Sequence, residues 1–137
     1  MTDRELISLA IKARKNAYIP YSHYAVGAAL VAGSGKVYTG CNIENAAYGP
    51  TNCAERTAIF KAVSEGEREI KVIAVVAAPE EQDAPFSAYA LPCGVCRQVI
   101  SEFAADGIRI LLAKSEDDYL EKTIDERLPL RFSAKEL

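Results

Sequence analysis

The chain of 137 residues has no tryptophan, one methionine and one histidine. A Ser–His–Asp or Cys–His catalytic system would have to use His23, and a surface or subunit-contact role suits that residue better. No stretch approaches the roughly 18 consecutive apolar residues that a membrane span needs, so no membrane partner is expected. The N-terminus, Met-Thr-Asp-Arg-Glu-Leu, has no basic segment leading into an apolar run. That argues against a secretory signal and makes the cytoplasm the expected location. Basic charge is sparse: 16 Lys and Arg against 19 Asp and Glu give a net charge of −3. Lys and Arg never cluster beyond pairs such as Arg14-Lys15. A nucleic-acid polymer usually demands a basic footprint, so small substrates are expected instead.

Half of the residues are hydrophobic and 26% are charged, which is ordinary for a soluble globular protein. The length fits a single domain over residues 1–137, with no repeat or linker to divide it. Residues 3–17 read as an amphipathic helix capped by Thr2 or Asp3 and ended by Pro20. Ala25–Ala32 is a short apolar run suited to a buried strand. The turn at Gly33-Ser34-Gly35 lets Lys36–Cys41 pair back as a hairpin. Residues 42–52 read as a loop. A helix is expected from about Cys53 to Ser64, with Asn52 as N-cap and Gly66 as its stop. Ile70–Ala78 has the apolar, β-branched character of a strand covered on both faces. A polar loop over 79–91 leads to a helix over Gly94–Ala105, a strand over Ile108–Ala113, then a short helix and an extended tail. This order implies an α/β layered domain with helices on both faces of a mixed sheet.

Four cysteines are present: Cys41, Cys53, Cys93 and Cys96. In a reducing compartment metal binding or thiol chemistry is expected before structural disulfides. Cys93 and Cys96 are three residues apart at the start of a predicted helix, so their sulfurs can face one point. Cys53 offers a third sulfur from the other helix, and Glu55 follows two residues later. Three protein ligands and one open position is the plan of a catalytic zinc site, whereas structural sites usually close with four. A carboxylate beside the metal suits proton transfer. Each part alone reads more plainly: a bare CxxC as a redox dithiol or half of a structural zinc site, Cys53 as a buried thiol, and Glu55 as a capping-box partner. The conjunction is much more specific than its parts. Cys41 has no partner in this scheme and reads as a small buried residue at a strand end.

Cysteine-x-glutamate followed about 40 residues later by Pro-Cys-x-x-Cys matches a zinc deaminase signature. Residues 20–30 (Pro-Tyr-Ser-His-Tyr-Ala-Val-Gly-Ala-Ala-Leu), 40–48 (Gly-Cys-Asn-Ile-Glu-Asn-Ala-Ala-Tyr), 53–66 and 92–100 closely resemble the small, homotetrameric cytidine deaminases. The resemblance runs in order from about residue 4 to residue 113 and thins in the tail. It implies a three-layer α/β/α sandwich with a five-stranded mixed sheet. It further implies that Cys53, Cys93 and Cys96 hold one zinc ion per chain, that Glu55 moves protons, and that the backbone around Ala54 meets the base. Asn42 and Glu44 would hold the ribose hydroxyls. Tyr24, where phenylalanine is expected, would pack near the base. Tyr48 and Phe132 would lie near active sites, including those of neighbouring subunits. Two features depart from the pattern. The loop 79–91 is longer than expected and carries Phe86 and Tyr89. The tail reads Leu128-Pro129-Leu130-Arg131-Phe132, where Leu-Pro-Gly, a small residue and phenylalanine are expected.

The implied reaction is deamination of cytidine and deoxycytidine to uridine and deoxyuridine with release of ammonia, a step of pyrimidine salvage. Zinc-generated hydroxide would attack C4 while Glu55 passes the water proton to N3, and Glu55 would then protonate the leaving amine from the same position. Three thiolates around Zn²⁺ sum to −1, and helix N-termini would offset that excess. Arg56 and Arg97 both follow ligand regions. Spacing leaves Arg56 even between a thiolate donor and an exposed helix arginine, and the resemblance favours the former. Competing readings are a deaminase of nucleoside antibiotics or modified cytosines, a noncatalytic zinc module, and an RNA- or DNA-editing deaminase, the last disfavoured by the acidic charge.

Overall fold

A computed structural model describes residues 1–137. Helix α1 (Asp3–Arg14) begins with a reciprocal cap: the Thr2 hydroxyl accepts from the Glu5 N–H, and the Glu5 carboxylate accepts from the Thr2 N–H. The helix stops three residues short of the expected Ala17. Lys15, Asn16 and Ala17 donate three residues back, to Lys12, Ala13 and Arg14. The Tyr18 N–H goes instead to the Asn42 carbonyl at 3.0 Å. A distant backbone acceptor thus ends the helix before Pro20 does.

Strands β1 (Tyr24–Ala32) and β2 (Val37–Cys41) form the hairpin, turning at Gly35 with φ 90°, a conformation glycine adopts without steric cost. Then follow α2 (Ala54–Ser64), β3 (Ile70–Pro79), α3 (Gly94–Phe103), β4 (Ala104–Ala113), β5 (Tyr119–Lys122) and α4 (Ile124–Arg127). The sheet order is β2-β1-β3-β4-β5. Only β3 and β4 run parallel, joined through α3. The expected strand over 108–113 corresponds to the regular part of β4, where Arg109–Leu112 pair with Val72–Val75. The fifth strand, β5, falls between β4 and the short helix α4, in the stretch after residue 113 where only a short helix and an extended tail were expected. It is a four-residue edge whose side chains are half-buried or exposed, so it carries no apolar signal. The α2 cap also differs: Cys53, not Asn52, is the N-cap residue. Asn52 is drawn away by a two-way backbone pairing with Ile43 and by its own Nδ2, which donates to Thr57 Oγ1 at 3.1 Å.

The alternation of β1 and β3 feeds two cores. On one face Leu6, Ile7 and Ala10 of α1 pack on Ala29, Ala74, Val76 and Leu111. On the other, Ala58, Ile59 and Ala62 of α2 and Ile100 of α3 pack on Leu30, Ile73, Val75 and Ile110. The result is a three-layer α/β/α sandwich around a five-stranded mixed sheet. Because α2 and α3 share a face, their N-termini meet above the end of β3. No helix is long and apolar enough to cross a membrane.

Glycine sets how closely the layers approach. A β-carbon on Gly27 would lie 2.0 Å from the Ala10 carbonyl oxygen, and one on Gly40 would lie 2.6 Å from the Ala58 nitrogen. Both obstacles are backbone, which cannot rotate aside. Gly27→Ala is therefore expected to destabilise the protein by about 1–3 kcal/mol, the scale of overpacking. Gly49→Ala, with nothing within 4 Å, should stay within about 0.5 kcal/mol of the parent. Urea unfolding midpoints compare them, and equal midpoints for the two variants would refute this account of the α1–β1 contact.

Candidate functional site

Cys53 and Cys93 are the N-cap residues of α2 and α3, both in extended backbone conformation. Cys96 lies in the first turn of α3. The three Sγ atoms all lie within 4.8 Å of one another, and Cys53 Sγ is 3.8 Å from Cys93 Sγ. Free N–H groups at both helix starts place partial positive charge beside the sulfurs, and the Cys96 N–H donates to Cys93 Sγ at 3.4 Å. Arg56 Nη2 donates to Cys53 Sγ at 3.3 Å. Arg97 turns away and donates its Nε–H to the Pro92 carbonyl at 2.8 Å.

The thiols are not equivalent. Cys53 is pulled down to about 5, first by a hydrogen bond from the Cys96 thiol and then by Arg56. Cys96 is buried and pushed up, first by that same bond to Cys53 and then by burial. One thiolate thus holds its neighbour as a thiol. A thiophilic dication changes that balance, because it lets all three deprotonate. The donor set fits zinc: three sulfurs from two helix starts, with no fourth Cys or His converging.

Glu55, on the first turn of α2, is only 3% exposed. Burial first, and then the Cys53 thiolate, push its carboxyl up to about 7. It lines a cavity of 290 Å³ together with Cys53, Cys93, Tyr24, Asn42 and Glu44. That volume suits a nucleoside-sized ligand at the small end of the usual range. Asn42 is locked: its Oδ1 accepts from the Val26 N–H at 2.9 Å and its Nδ2 donates to the Tyr24 carbonyl at 2.8 Å. Glu44 Oε1 accepts from the Tyr21 and Ser22 N–H groups, both at 3.1 Å, which leaves Oε2 free of these bonds. Hydrogen bonds from Ser22 and then Tyr21 hold this carboxyl below the usual carboxylate range. Ile43, between Asn42 and Glu44, points outward and pairs its backbone with Asn52. Alternation therefore puts Asn42 and Glu44 on the same side.

The remaining expected site residues divide. Ala54 is fully buried and its methyl joins the core, so only its backbone is available to a ligand. Tyr48 is 83% exposed and lines a smaller hollow of 160 Å³ beside Glu44 with Tyr21 and Thr51. Phe132 does not reach the cavity. It lies exposed over α3, where its carbonyl accepts from Gln98 Nε2 at 2.9 Å. His23 is exposed and paired with Glu80 through Nδ1 at 2.8 Å. Cys41 is half-buried and free, and burial raises its thiol.

Sequence reasoning missed several cavity walls: Val26 of β1, Val75 and Ala77 of β3, and Ala90 and Leu91 of the long loop. Strand periodicity could have found the first three, because they share a face with Tyr24. Nothing in the sequence marks Leu91.

A family model for the cytidine and deoxycytidylate deaminase zinc-binding region matches residues 1–112. The chain is 50% identical over 137 residues to a cytidine deaminase of Sporosarcina psychrophila, covering 100% of this chain and 96% of that protein. It is 48% identical over 136 residues to one from Halalkalibacterium halodurans, covering 98% of each. Among solved structures, the cytidine deaminase from Burkholderia pseudomallei superimposes with a TM-score of 0.84 at 42% identity, covering 96% of this chain and 100% of that one. By motif, cavity and fold together, this chain belongs to the cytidine deaminase family of zinc-binding hydrolytic deaminases.

Proposed function

We propose that the chain, as one domain over residues 1–137, deaminates cytidine and deoxycytidine hydrolytically in the cytoplasm, using one zinc ion held by Cys53, Cys93 and Cys96. A reducing compartment suits three metal-binding thiolates, and release of the pyrimidine nucleoside product suits salvage. The observation that carries the reading is a single cavity with Cys53, Cys93 and Glu55 at one end and Asn42 and Glu44 on its wall. When bound, the ion lowers the pKa of its water and supplies the nucleophile at C4.

Every other step falls to the chain's own residues. Glu55, buried and with its proton affinity raised toward neutrality, is suited to take one proton from the attacking water and give it to ring N3, and then to take the second proton from the oxygen added at C4 and pass it to the departing amine. Arg56 offsets the excess thiolate charge through Cys53. Tyr24, Val26 and Leu91 keep bulk water from the base, and the free N–H groups around Ala54 are available to the ring. Asn42 and the unshared oxygen of Glu44 bind the sugar hydroxyls.

A panel of variants tests the metal and proton assignments. One zinc per chain is expected in the parent and in Cys41→Ala, and little in Cys96→Ala. Glu55→Gln should keep zinc and fold yet lose several orders of magnitude in turnover, because a proton moves at more than one step. Arg56→Gln should release zinc faster to a chelator. Full zinc in Cys96→Ala, or Glu55→Gln within tenfold of the parent, would contradict the scheme.

Substrate choice follows from the wall. Glu44 repels a phosphate, and no Gly-rich loop or basic cluster compensates. Cytidine and deoxycytidine should be turned over, and CMP poorly. Free cytosine should also be poor, because it lacks the sugar whose binding energy positions C4. Glu44→Gln should weaken nucleoside binding by about 1–3 kcal/mol and narrow the gap between cytidine and CMP. Comparison of kcat/KM for the three compounds decides, and CMP equal to cytidine on the parent would overturn this assignment of Asn42 and Glu44.

We further propose a homotetramer with sites bordered by neighbouring subunits. Phe60 of α2, Val95 of α3, Leu91, Tyr48 and Phe132 are large apolar side chains left between 47% and 83% exposed, more than a monomer's helical layer normally presents together. Light scattering at assay concentration should give four chains per particle. An active monomer would refute the proposal.

A further inference from the structure

Two charged side chains are buried in this protein: Glu55 and Arg14. Glu55 sits in the cavity. Arg14 sits on the opposite face of the sheet, in the last turn of α1, and none of the chain's ion pairs includes it. Its guanidinium is spent on backbone carbonyls. Nε donates to Ala25 at 3.1 Å, Nη1 to Gln82 at 3.1 Å, and Nη2 to Ala78 at 3.0 Å and Pro79 at 2.6 Å. The Phe86 ring covers it, with its centroid 4.7 Å from Cζ. A buried cation of this kind is tolerated only while its donors are satisfied.

The four acceptors belong to one corner. Ala25 lies at the start of β1, and Ala78 and Pro79 lie at the end of β3, in register as Ala25↔Ala78 and Tyr24↔Pro79. Gln82 belongs to the loop that leads to Cys93. This corner has a gap on its other edge. Strand β2 pairs with β1 only from Gly27 onward, so Tyr24–Val26 have no β2 partner. The Asn42 side chain fills that gap, taking the Tyr24 carbonyl and the Val26 N–H. The Ala25 carbonyl between them goes to Arg14. Consecutive residues of one strand are thus held alternately from the cavity side and from behind. Tyr24, Val26 and Ala77 of these same strand ends form the cavity wall.

We propose that Arg14 is a positioning residue for substrate binding: from behind the sheet it fixes the ends of β1 and β3, and through them the orientation of Asn42 and the wall at Tyr24. It touches neither substrate nor metal. The proposal rests on the reading of Asn42 as a sugar contact. Its signature is a loss of binding that leaves the thiol cluster and the proton carrier intact, which appears as a raised KM with little change in kcat. An arginine that only anchors α1 would lower stability and leave KM alone.

The test uses zinc-loaded protein and cytidine. Arg14→Met should retain zinc at the parental level, keep kcat within about threefold and raise KM about tenfold or more. Arg14→Lys, a point donor that cannot span four carbonyls, should fall between, and it carries the KM measurement if the methionine variant does not fold. Arg14→Ala should recover toward the parental KM in millimolar guanidinium, which refills the site, and not in equimolar sodium. In Arg14→Met/Asn42→Ala the two losses should not add, because both act on residues 24–26. A parental KM in Arg14→Met, or in Arg14→Lys where that variant stands in for it, beside a raised KM in Asn42→Ala, overturns the Arg14 proposal alone. Additive losses, or absence of guanidinium rescue, also overturn it. A parental KM in Asn42→Ala sinks the sugar-contact reading separately.

Discussion

Three cysteine sulfurs within 4.8 Å cannot all be thiolates without positive charge among them, and this constraint organises the rest of the molecule. The charge has to come from several directions. Two helix starts supply part of it, which requires α2 and α3 to lie on the same face with their N-termini side by side. The parallel β3–β4 pair provides for this, because a parallel connection needs a crossover element, and α3 is that element. Arg56 supplies more, from the first turn of α2 back onto the Cys53 cap. The arrangement is thus a product of the mixed sheet.

The same constraint explains why Glu55 is buried where a carboxylate is costly. It shares the first turn of α2 with the Cys53 cap, so it inherits the low-dielectric corner beneath the sulfurs. Burial and a neighbouring thiolate both oppose its ionisation, and its proton affinity rises toward neutrality. A group placed there to pack the core would have been apolar. Its cost is consistent with a carboxyl that must gain and lose a proton.

The sequence made the helices, the hairpin and β3 legible, because each carries either a periodic apolar face or a continuous β-branched run bounded by turn residues. It left β5 invisible: Tyr119–Lys122 is an edge held by β4 backbone bonds, with no apolar side to betray it. The end of α1 and the α2 cap were misjudged for a shared reason. Tyr18 and Asn52 each find a backbone partner in the 42–44 segment, and such long-range bonds leave no local signal. The cysteine–glutamate constellation was legible because metal-ligand spacing on helix starts is a local pattern. Arg14 was not, since an arginine in the last turn of a helix reads as a solvated charge that favours the dipole. Only the fold reveals four carbonyls waiting for it.

The long loop 79–91 shows how the departure from the expected length is used. Its span is tied at intervals rather than left free. The Glu80 N–H donates to the His23 carbonyl at 2.8 Å, and the Gln82 carbonyl accepts from Arg14. Phe86 is buried, with its N–H on the Lys114 carbonyl at 2.8 Å. The Tyr89 hydroxyl donates to Asp118 at 2.6 Å while the Lys114 ammonium lies 4.4 Å from the centre of its ring. The extra residues therefore reach the β4–β5 turn and borrow its stability, as a wall would and a lid would not. Ala90 and Leu91 leave that wall directly into the cavity, immediately before Pro92 and Cys93. This side of the cavity is therefore bounded by Leu91, on a loop tied to the β4–β5 turn, and by the ends of β1 and β3, whose backbone Asn42 and Arg14 hold from opposite sides.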